Sequence, residues 1–322
     1  MTERARPYTS ADLPDLLQLV AGVAAARFPG SAYMMTSDVG WQISAAEPEA
    51  NVRLWYDDGA LAGYGWFEPP TDVCFDVRED VSLASLLPEM LAWAEQRRRQ
   101  LPPFHPPILE CRAMRDWEAL FLEQKSIDDE TRSTLVTSAF DLDRERVALL
   151  ETNGFRATGH FMPYLRRELD IPIPEPPLPE GARLRQVTEA DFEERVAAHV
   201  DAWWPASGFD LQKYLAVRAV ESYDPELDIV LETANGEFAS YCIAWLDRRM
   251  GVGSFEPVGT RRRWRRQGIG RLVNYEGLRR LKARGMHTAN IQTAGFNERA
   301  VGLYESCGFE RIDTKRSYTK SV

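Results

Sequence analysis

Residues 250–270 read MGVGSFEPVGTRRRWRRQGIG, and residues 271–285 continue RLVNYEGLRRLKARG. The apolar run Val252 to Val258, interrupted by Pro257, predicts a strand. Beyond it, Ile269, Leu272, Val273, Leu278 and Leu281 recur on one face of a helix, with Gly285 as its C-terminal cap. Between strand and helix lies the turn Arg265-Arg266-Gln267-Gly268-Ile269-Gly270. A helix N-terminus presents free backbone N–H groups and the positive end of the macrodipole. Gly268 and Gly270 lack Cβ atoms, so a large anion can approach that backbone closely. Arg265, Arg266 and Arg271 add formal positive charge, and a pyrophosphate fits the description.

Downstream, Met286 to Thr293 (MHTANIQT) reads as the next strand, followed by Asn297-x-x-Ala300-x-x-Leu303-Tyr304-Glu305-x-x-Gly308-Phe309. An R-x-x-G-x-G turn between a strand and a helix, with this second motif about thirty residues on, resembles the GNAT N-acetyltransferase superfamily. The resemblance covers about residues 182–319. It implies acetyl-CoA as co-substrate, its pyrophosphate on Arg265, Arg266, Gln267, Gly268, Ile269, Gly270 and Arg271. It implies backbone contacts from Val258, Gly259 and Thr260 to the thioester and pantetheine arm, and a further contact from Asn297. Asn297 also reads as a helix N-cap.

The same resemblance makes Tyr304 the general acid: a phenol is protonated at neutral pH and can supply a departing thiolate. Its spacing with Ala300 and Cys307 also suits a buried helix face. Glu256, on the strand before the loop, is the expected general base, acting through water, with partial burial lifting its pKa. The other reading is an ordinary strand glutamate. Trp203, Trp204 and Phe209 lie where the family forms an acceptor wall, or else pack against the first half of the chain. Arg261 to Arg266, interleaved with Trp264, has an alternative as a nucleic-acid patch, set against an acidic chain and the glycine turn that follows. Arg261 to Arg263 also read as a simply solvated run.

Upstream, Ile171 to Gly181 (IPIPEPPLPEG) reads as a semi-rigid linker. It divides the chain into 1–170 and 182–322, and the two parts repeat each other. Arg6-Pro7-Tyr8-Thr9-Ser10-Ala11-Asp12-Leu13 matches Arg185-Gln186-Val187-Thr188-Glu189-Ala190-Asp191-Phe192, each with a capping-box-like Thr-x-x-Asp. LWYDDGALAGY at 54–64 matches LETANGEFASY at 231–241, and Asp58-Gly59 and Asn235-Gly236 both read as type I′ hairpins. LLETNGF at 149–155 matches LYESCGF at 303–309. The offset falls from 177 at Gly59/Gly236 to 154 at Gly154/Gly308, so the first copy holds 23 extra residues, placed near LPPFHPP at 101–107 and KSIDDETRS at 125–133. Either Ile108 to Ala113 or Thr134 to Phe140 is its fifth strand. That copy has no glycine between Trp66 and Asn153, carries Glu79 and Asp80 in the loop position, and has Leu150 for Tyr304 and Asp143 for Asn297. It reads as a degenerate domain that does not bind acetyl-CoA in the usual way.

The second copy predicts strand 182–187, helix 188–200, a loop at Trp203-Trp204-Pro205, helix 208–222, and strands near 227–234, 237–247 and 250–260. After the loop helix come strand 286–293, helix 298–307 and a final strand pair at 309–319. The fold class is α/β (α+β): two tandem GNAT-like domains, each a mixed, mostly antiparallel sheet flanked by helices.

The 322 residues, 44% hydrophobic and 27% charged, are ordinary for a globular chain, and the net charge of −10 argues against wholesale nucleic-acid binding. No apolar run reaches the roughly 20 residues of a membrane span, and no signal core opens the chain, so the expected location is cytoplasmic. Cys74, Cys111, Cys242 and Cys307 are scattered, and His105, His160, His199 and His287 have no ligand spacing, so no metal is expected and no histidine has a role. The reading is an acetyl-CoA-dependent N-acetyltransferase acting on a primary amine of a small-molecule acceptor. The alternative is a non-catalytic acyl-CoA-binding sensor or scaffold. Neither the acceptor nor the oligomeric state is written in the sequence.

Overall fold

The structure is a computed structural model that describes residues 4–27, 32–43, 47–101, 134–204 and 207–322. The sequence repeat is visible in its first contacts. Thr9 N–H and Thr188 N–H each donate to the carboxylate three residues on, Asp12 or Asp191, at 2.8 Å. Each carboxylate also receives a two-pronged guanidinium, from Arg6 at 2.8 and 2.6 Å and from Arg185 at 2.7 and 2.9 Å. Paired, charge-assisted bonds of this kind fix a helix start firmly.

The strands, in chain order, are β1 (Ala5–Pro7), β2 (Val52–Asp57), β3 (Ala60–Glu68), β4 (Asp72–Val77), β5 (Thr134–Phe140) and β6 (Arg156–Glu168). Then come β7 (Arg183–Gln186), β8 (Asp228–Glu232), β9 (Phe238–Asp247), β10 (Val252–Thr260), β11 (Thr288–Gln292) and β12 (Glu310–Ser321). They fall into two compact units. The first comprises residues 1–163, 294–296 and 313–322, and the second 164–293 and 297–312. The first unit runs β1-β2-β3-β4-β5-β12, antiparallel throughout except for the parallel β4–β5 pair. The second runs β7-β8-β9-β10-β11-β6, again antiparallel except for β10–β11. The two orders are the same, but the sixth strand of each comes from the other half of the sequence.

That exchange departs from the expected division at 171–181. Residues 164–170 belong to the second unit and 313–322 to the first. The expected strand pair at 309–319 is one continuous strand, β12, whose residues Lys315 to Ser321 pair with Phe140 to Thr134. Thr134–Phe140 is thereby the fifth strand of its unit; Ile108 to Ala113, Cys111, His105 and most of the proposed 101–107 and 125–133 insertions lie outside the described residues. The proline-rich segment is tied down on the second unit, with Arg167 donating to the Pro172 carbonyl at 2.9 Å and Arg279 to that of Pro174 at 2.9 Å.

Helix Ile269–Ala283 packs on the second sheet through Leu272, Val273, Leu278 and Leu281, buried with Phe255, Ala289 and Phe309. It lies close because Gly277 faces Phe255: a Cβ there would stand 2.4 Å from the ring. The helix ends in a Schellman arrangement, Met286 N–H to Leu281 O at 3.2 Å and Gly285 N–H to Lys282 O at 3.0 Å, with Gly285 at φ +81. On the other face, Phe192–Ala202 and Leu211–Arg218 bury Ala198, Tyr214 and Tyr241. Both helices are shorter than 188–200 and 208–222: a 3₁₀ turn, Glu189–Asp191, precedes the first, and Asp210 caps the second by accepting from Lys213 N–H at 2.8 Å.

The hairpins differ from each other. Asp58 and Gly59 both take positive φ, 47 and 81, as a type I′ turn requires. At the second hairpin only Gly236 is left-handed, at φ +84. Thr233 N–H bonds Glu237 O at 2.9 Å, and its hydroxyl bonds Asn235 Oδ1 at 2.5 Å, making a longer loop in place of the expected type I′ turn.

Candidate functional site

β10 positions the site by parting from its neighbour. It pairs with β11 only through Val252↔Thr288, Gly253↔Ala289 and Ser254↔Asn290. β10 continues to Thr260 with no partner on that side among the described residues. On its other side the register with β9 slips between Phe255 and Val258, a bulge that accommodates Pro257 inside a strand. Glu256 sits at this bulge. It is exposed, not partly buried as expected.

The loop follows. Arg266 at φ +63 and Gly268 at φ +77 turn the chain sharply into the helix that follows. Among the described residues, the backbone N–H groups of Arg266, Gln267, Gly268, Ile269 and Gly270 have no acceptor within the chain. Helix 269–283 starts directly on this turn, adding its dipole. Arg266 and Arg271 are exposed and have no ion-pair partner among the described residues. Arg265 is placed differently: its guanidinium donates to Thr260 O at 3.3 Å and Ala202 O at 2.7 Å, bracing the loop. Gln267 Nε2 donates to Arg263 O at 2.9 Å, a second brace. Gly270 is buried, and a Cβ on it would meet Leu303 at 3.1 Å and Thr260 Oγ1 at 3.2 Å.

The preceding arginines are ion-paired and not a free basic patch, with Arg262 and Arg263 still exposed. Arg261 pairs with Glu194 at 2.6 Å, Arg262 with Asp201 at 2.9 Å, and Arg263 with Glu237. Their charge is locally neutralised, which leaves Arg266 and Arg271 as the cations available to an anion at the loop.

Tyr304, on helix Glu298–Ser306, is buried against Phe309 at a ring distance of 6.3 Å. Burial pushes its pKa well above the ordinary phenol value, and the negative charge of Glu256 adds to the rise. Glu256 acts in the same direction on Tyr241, so the expected base lies within electrostatic reach of both phenols. The Tyr304 hydroxyl has no hydrogen-bond partner among the described residues. Asn297 caps the helix, accepting from Ala300 N–H at 3.2 Å. Cys307 is core, its thiol pushed up to about 12 by burial.

The predicted acceptor wall is only partly assembled. Trp203 and Phe209 join a cluster with His199 and Tyr241, at ring distances from His199 of 5.8 Å for Trp203 and 4.2 Å for Phe209. Trp204 instead lies under Arg262, 4.6 Å from its guanidinium. The sequence reading missed His199 and the buried network beneath it. Arg195 donates to Asp228 at 3.0 Å, and Asp228 also accepts from Tyr214 at 2.6 Å and Tyr223 at 3.0 Å. A signal was present: Arg195 and His199 are four apart on one helix face.

In the first unit the corresponding gap is filled by the chain itself. β4 and β5 pair in parallel at Asp72↔Val136. Farther along β4, Arg146 donates to Phe75 O at 2.9 Å and Asp76 Oδ1 at 2.6 Å, and it stacks on Tyr33 at 3.9 Å. Tyr33 donates to Asp143 at 2.9 Å and accepts from Phe140 N–H, at the end of β5, at 3.0 Å. Asp143 caps its helix as Asn297 does, accepting from Arg146 N–H at 3.1 Å, and Leu150 is fully buried where Tyr304 stands in the second unit.

Among the described residues, no cluster of histidine, cysteine or carboxylate side chains could hold a metal ion, and no helix is long and apolar enough to cross a membrane. Residues 186–309 match the acetyltransferase (GNAT) family. The mycothiol acetyltransferase of Nocardiopsis dassonvillei is 31% identical over 193 residues, covering 56% of this chain and 58% of that protein. That of Saccharomonospora viridis is 30% identical over 161 residues, covering 46% and 52%. The chain thus spans little more than half the length of these curated relatives. Among solved structures, a GCN5-related N-acetyltransferase from Sphaerobacter thermophilus superposes with a TM-score of 0.66 at 18% identity, over 98% of this chain and 95% of that one. A tandem GNAT protein from the clavulanic acid biosynthesis pathway does so with a TM-score of 0.67 at 13% identity, over 98% of each chain. Residues 186–309 are therefore a domain of the acetyltransferase (GNAT) family, in a chain whose described fold is similar to that of a tandem GNAT protein.

Proposed function

We propose that the chain transfers the acetyl group of acetyl-CoA to a primary amine of a small-molecule acceptor, and that the second unit alone does the chemistry. The observation that carries this reading is the coincidence, in one unit, of an open parallel ladder, a loop of unbonded amides beside Arg266 and Arg271, and the unpartnered hydroxyl of Tyr304. The amides of 266–270 would hold the diphosphate, and the unpaired edge of Val258, Gly259 and Thr260 the pantetheine arm. Asn297 stands at the start of the same helix as Tyr304, within the chain segment that follows β11.

In this reading Glu256, exposed at the bulge, takes a proton from the acceptor ammonium through water. The freed amine nitrogen bonds to the thioester carbonyl carbon, and the carbon–sulfur bond breaks. Tyr304 gives its phenolic proton to the departing sulfur and regains one from the acetylated nitrogen, so the products are a neutral N-acetyl amine and a free thiol. Burial keeps Tyr304 in its O–H form until that moment. The mycothiol acetyltransferases support acetyl transfer; a mycothiol-type acceptor is one test compound among others, since no side chain here singles it out.

A thiol-release assay with an amine panel tests the proposal. Acetyl-CoA-dependent turnover of at least one primary amine is expected. Tight acetyl-CoA binding with no turnover of any acceptor would favour the sensor reading instead.

A further inference from the structure

We infer that His199 is a specificity-determining residue of the acceptor site, locked as a neutral Nε2–H donor in an otherwise apolar ring wall. The inference rests on the acetyltransferase reading above and extends it to the acceptor. Its geometry lies within the second unit.

Trp203 Nε1–H donates to the Tyr241 hydroxyl at 2.9 Å. An indole nitrogen can only donate, so the Tyr241 oxygen is the acceptor there. The same hydroxyl lies 2.9 Å from His199 Nδ1, the remaining partner for its proton. Tyr241 therefore donates to Nδ1, and the imidazole proton must sit on Nε2. Nε2 has no partner among the described residues, and His199 as a whole is only partly buried.

The charged groups around the ring keep it neutral. Arg195, one turn earlier on the same helix, lies 3.7 Å over the Tyr241 ring, its terminal nitrogens without hydrogen bonds. Its countercharge, Asp228, is already shared by Tyr214 and Tyr223. Burial, with Arg195 adding to it, holds the His199 pKa down to about 3. Phe209 packs against the ring at 4.2 Å and carries no charge.

The wall stands next to the reacting strand: a Cβ on Gly259 would lie 2.4 Å from the Tyr241 hydroxyl. An acceptor lying there meets the faces of His199, Trp203 and Phe209 and a single N–H donor, with no carboxylate among these wall residues. That chemistry fits an amine whose adjoining part is a planar ring bearing a hydrogen-bond-accepting oxygen.

Two measurements test this. Nitrogen-15 NMR of the histidine ring should show the Nε2–H tautomer of His199 with no titration between pH 5 and 8. Protonation in that range, or the Nδ1–H tautomer, overturns the inference. In the thiol-release assay, tyramine should be used better than phenethylamine by about fivefold in kcat/KM, the size of one hydrogen bond. His199→Phe should remove that preference while calorimetry shows acetyl-CoA binding unchanged. An equal rate with both amines, turnover of neither, or a preference that survives His199→Phe overturns it. Failure of acetyl-CoA to bind the wild-type protein would instead sink the acetyltransferase reading itself.

Discussion

In the proposed mechanism Tyr304 concentrates the chemistry in one hydroxyl, and its burial makes a clear test. Tyr304→Phe should lower kcat by about 10² to 10⁴, the range for a lost general acid, with acetyl-CoA affinity within about twofold by calorimetry. Unchanged turnover would remove the acid assignment. Gly259 is constrained from the other side, since a methyl group would enter the Tyr241 phenol at 2.4 Å. Gly259→Ala should cost about 1–3 kcal/mol in denaturant unfolding and lower kcat/KM. The placement of Tyr304 on its helix and of Gly268 in the turn was legible because their motif is local in sequence. His199 was not: its role depends on Tyr241, 42 residues away, and on a helix packing against a sheet face.

At the scale of elements, the loop and the capped helix were readable from strand–turn–helix spacing. The Asn235-Gly236 hairpin was not, because Thr233 bonds Asn235 and Glu237 and so selects a different turn from the same dipeptide. The charge on Arg261 to Arg263 was equally hidden, since Glu194, Asp201 and Glu237 reach it from elsewhere in the chain. Asn297→Ala should cost about 1 kcal/mol through the lost cap, measured by urea unfolding. In the first unit, Asp76→Ala removes the closer of two carboxylates from a guanidinium that is 2% exposed, with Asp143 left at 3.5 Å, and should destabilise by about 3 kcal/mol. A loss under 1 kcal/mol would show that Arg146 is not a buried plug in that unit's gap.

For the whole molecule, the repeat in the sequence predicted two sheets of the same order, and the structure has them. What it could not predict was the exchange of β6 and β12, because the partner of an edge strand is set by long-range pairing that local pattern does not carry. Stability should rise with pH through the acid range. His199 has a folded pKa of about 3, below its ordinary value near 6.5, so the unfolded chain binds the extra proton. Asp12, held down to about 2 by its hydrogen bonds from Arg6, acts with the same sign near its own ordinary value. Between pH 7 and 5 the histidine alone should remove about 2 kcal/mol, read as a lower urea midpoint at pH 5, and His199→Phe should flatten that slope.

The claim beneath all of this is that one diphosphate rests on the amides of residues 266–270. Calorimetric titration with coenzyme A addresses it without any acceptor. One molecule should bind per chain, with binding lost in Gly268→Glu, whose fold is checked by circular dichroism. Absence of binding to the wild type, two sites per chain, or full affinity in a folded Gly268→Glu protein would contradict it.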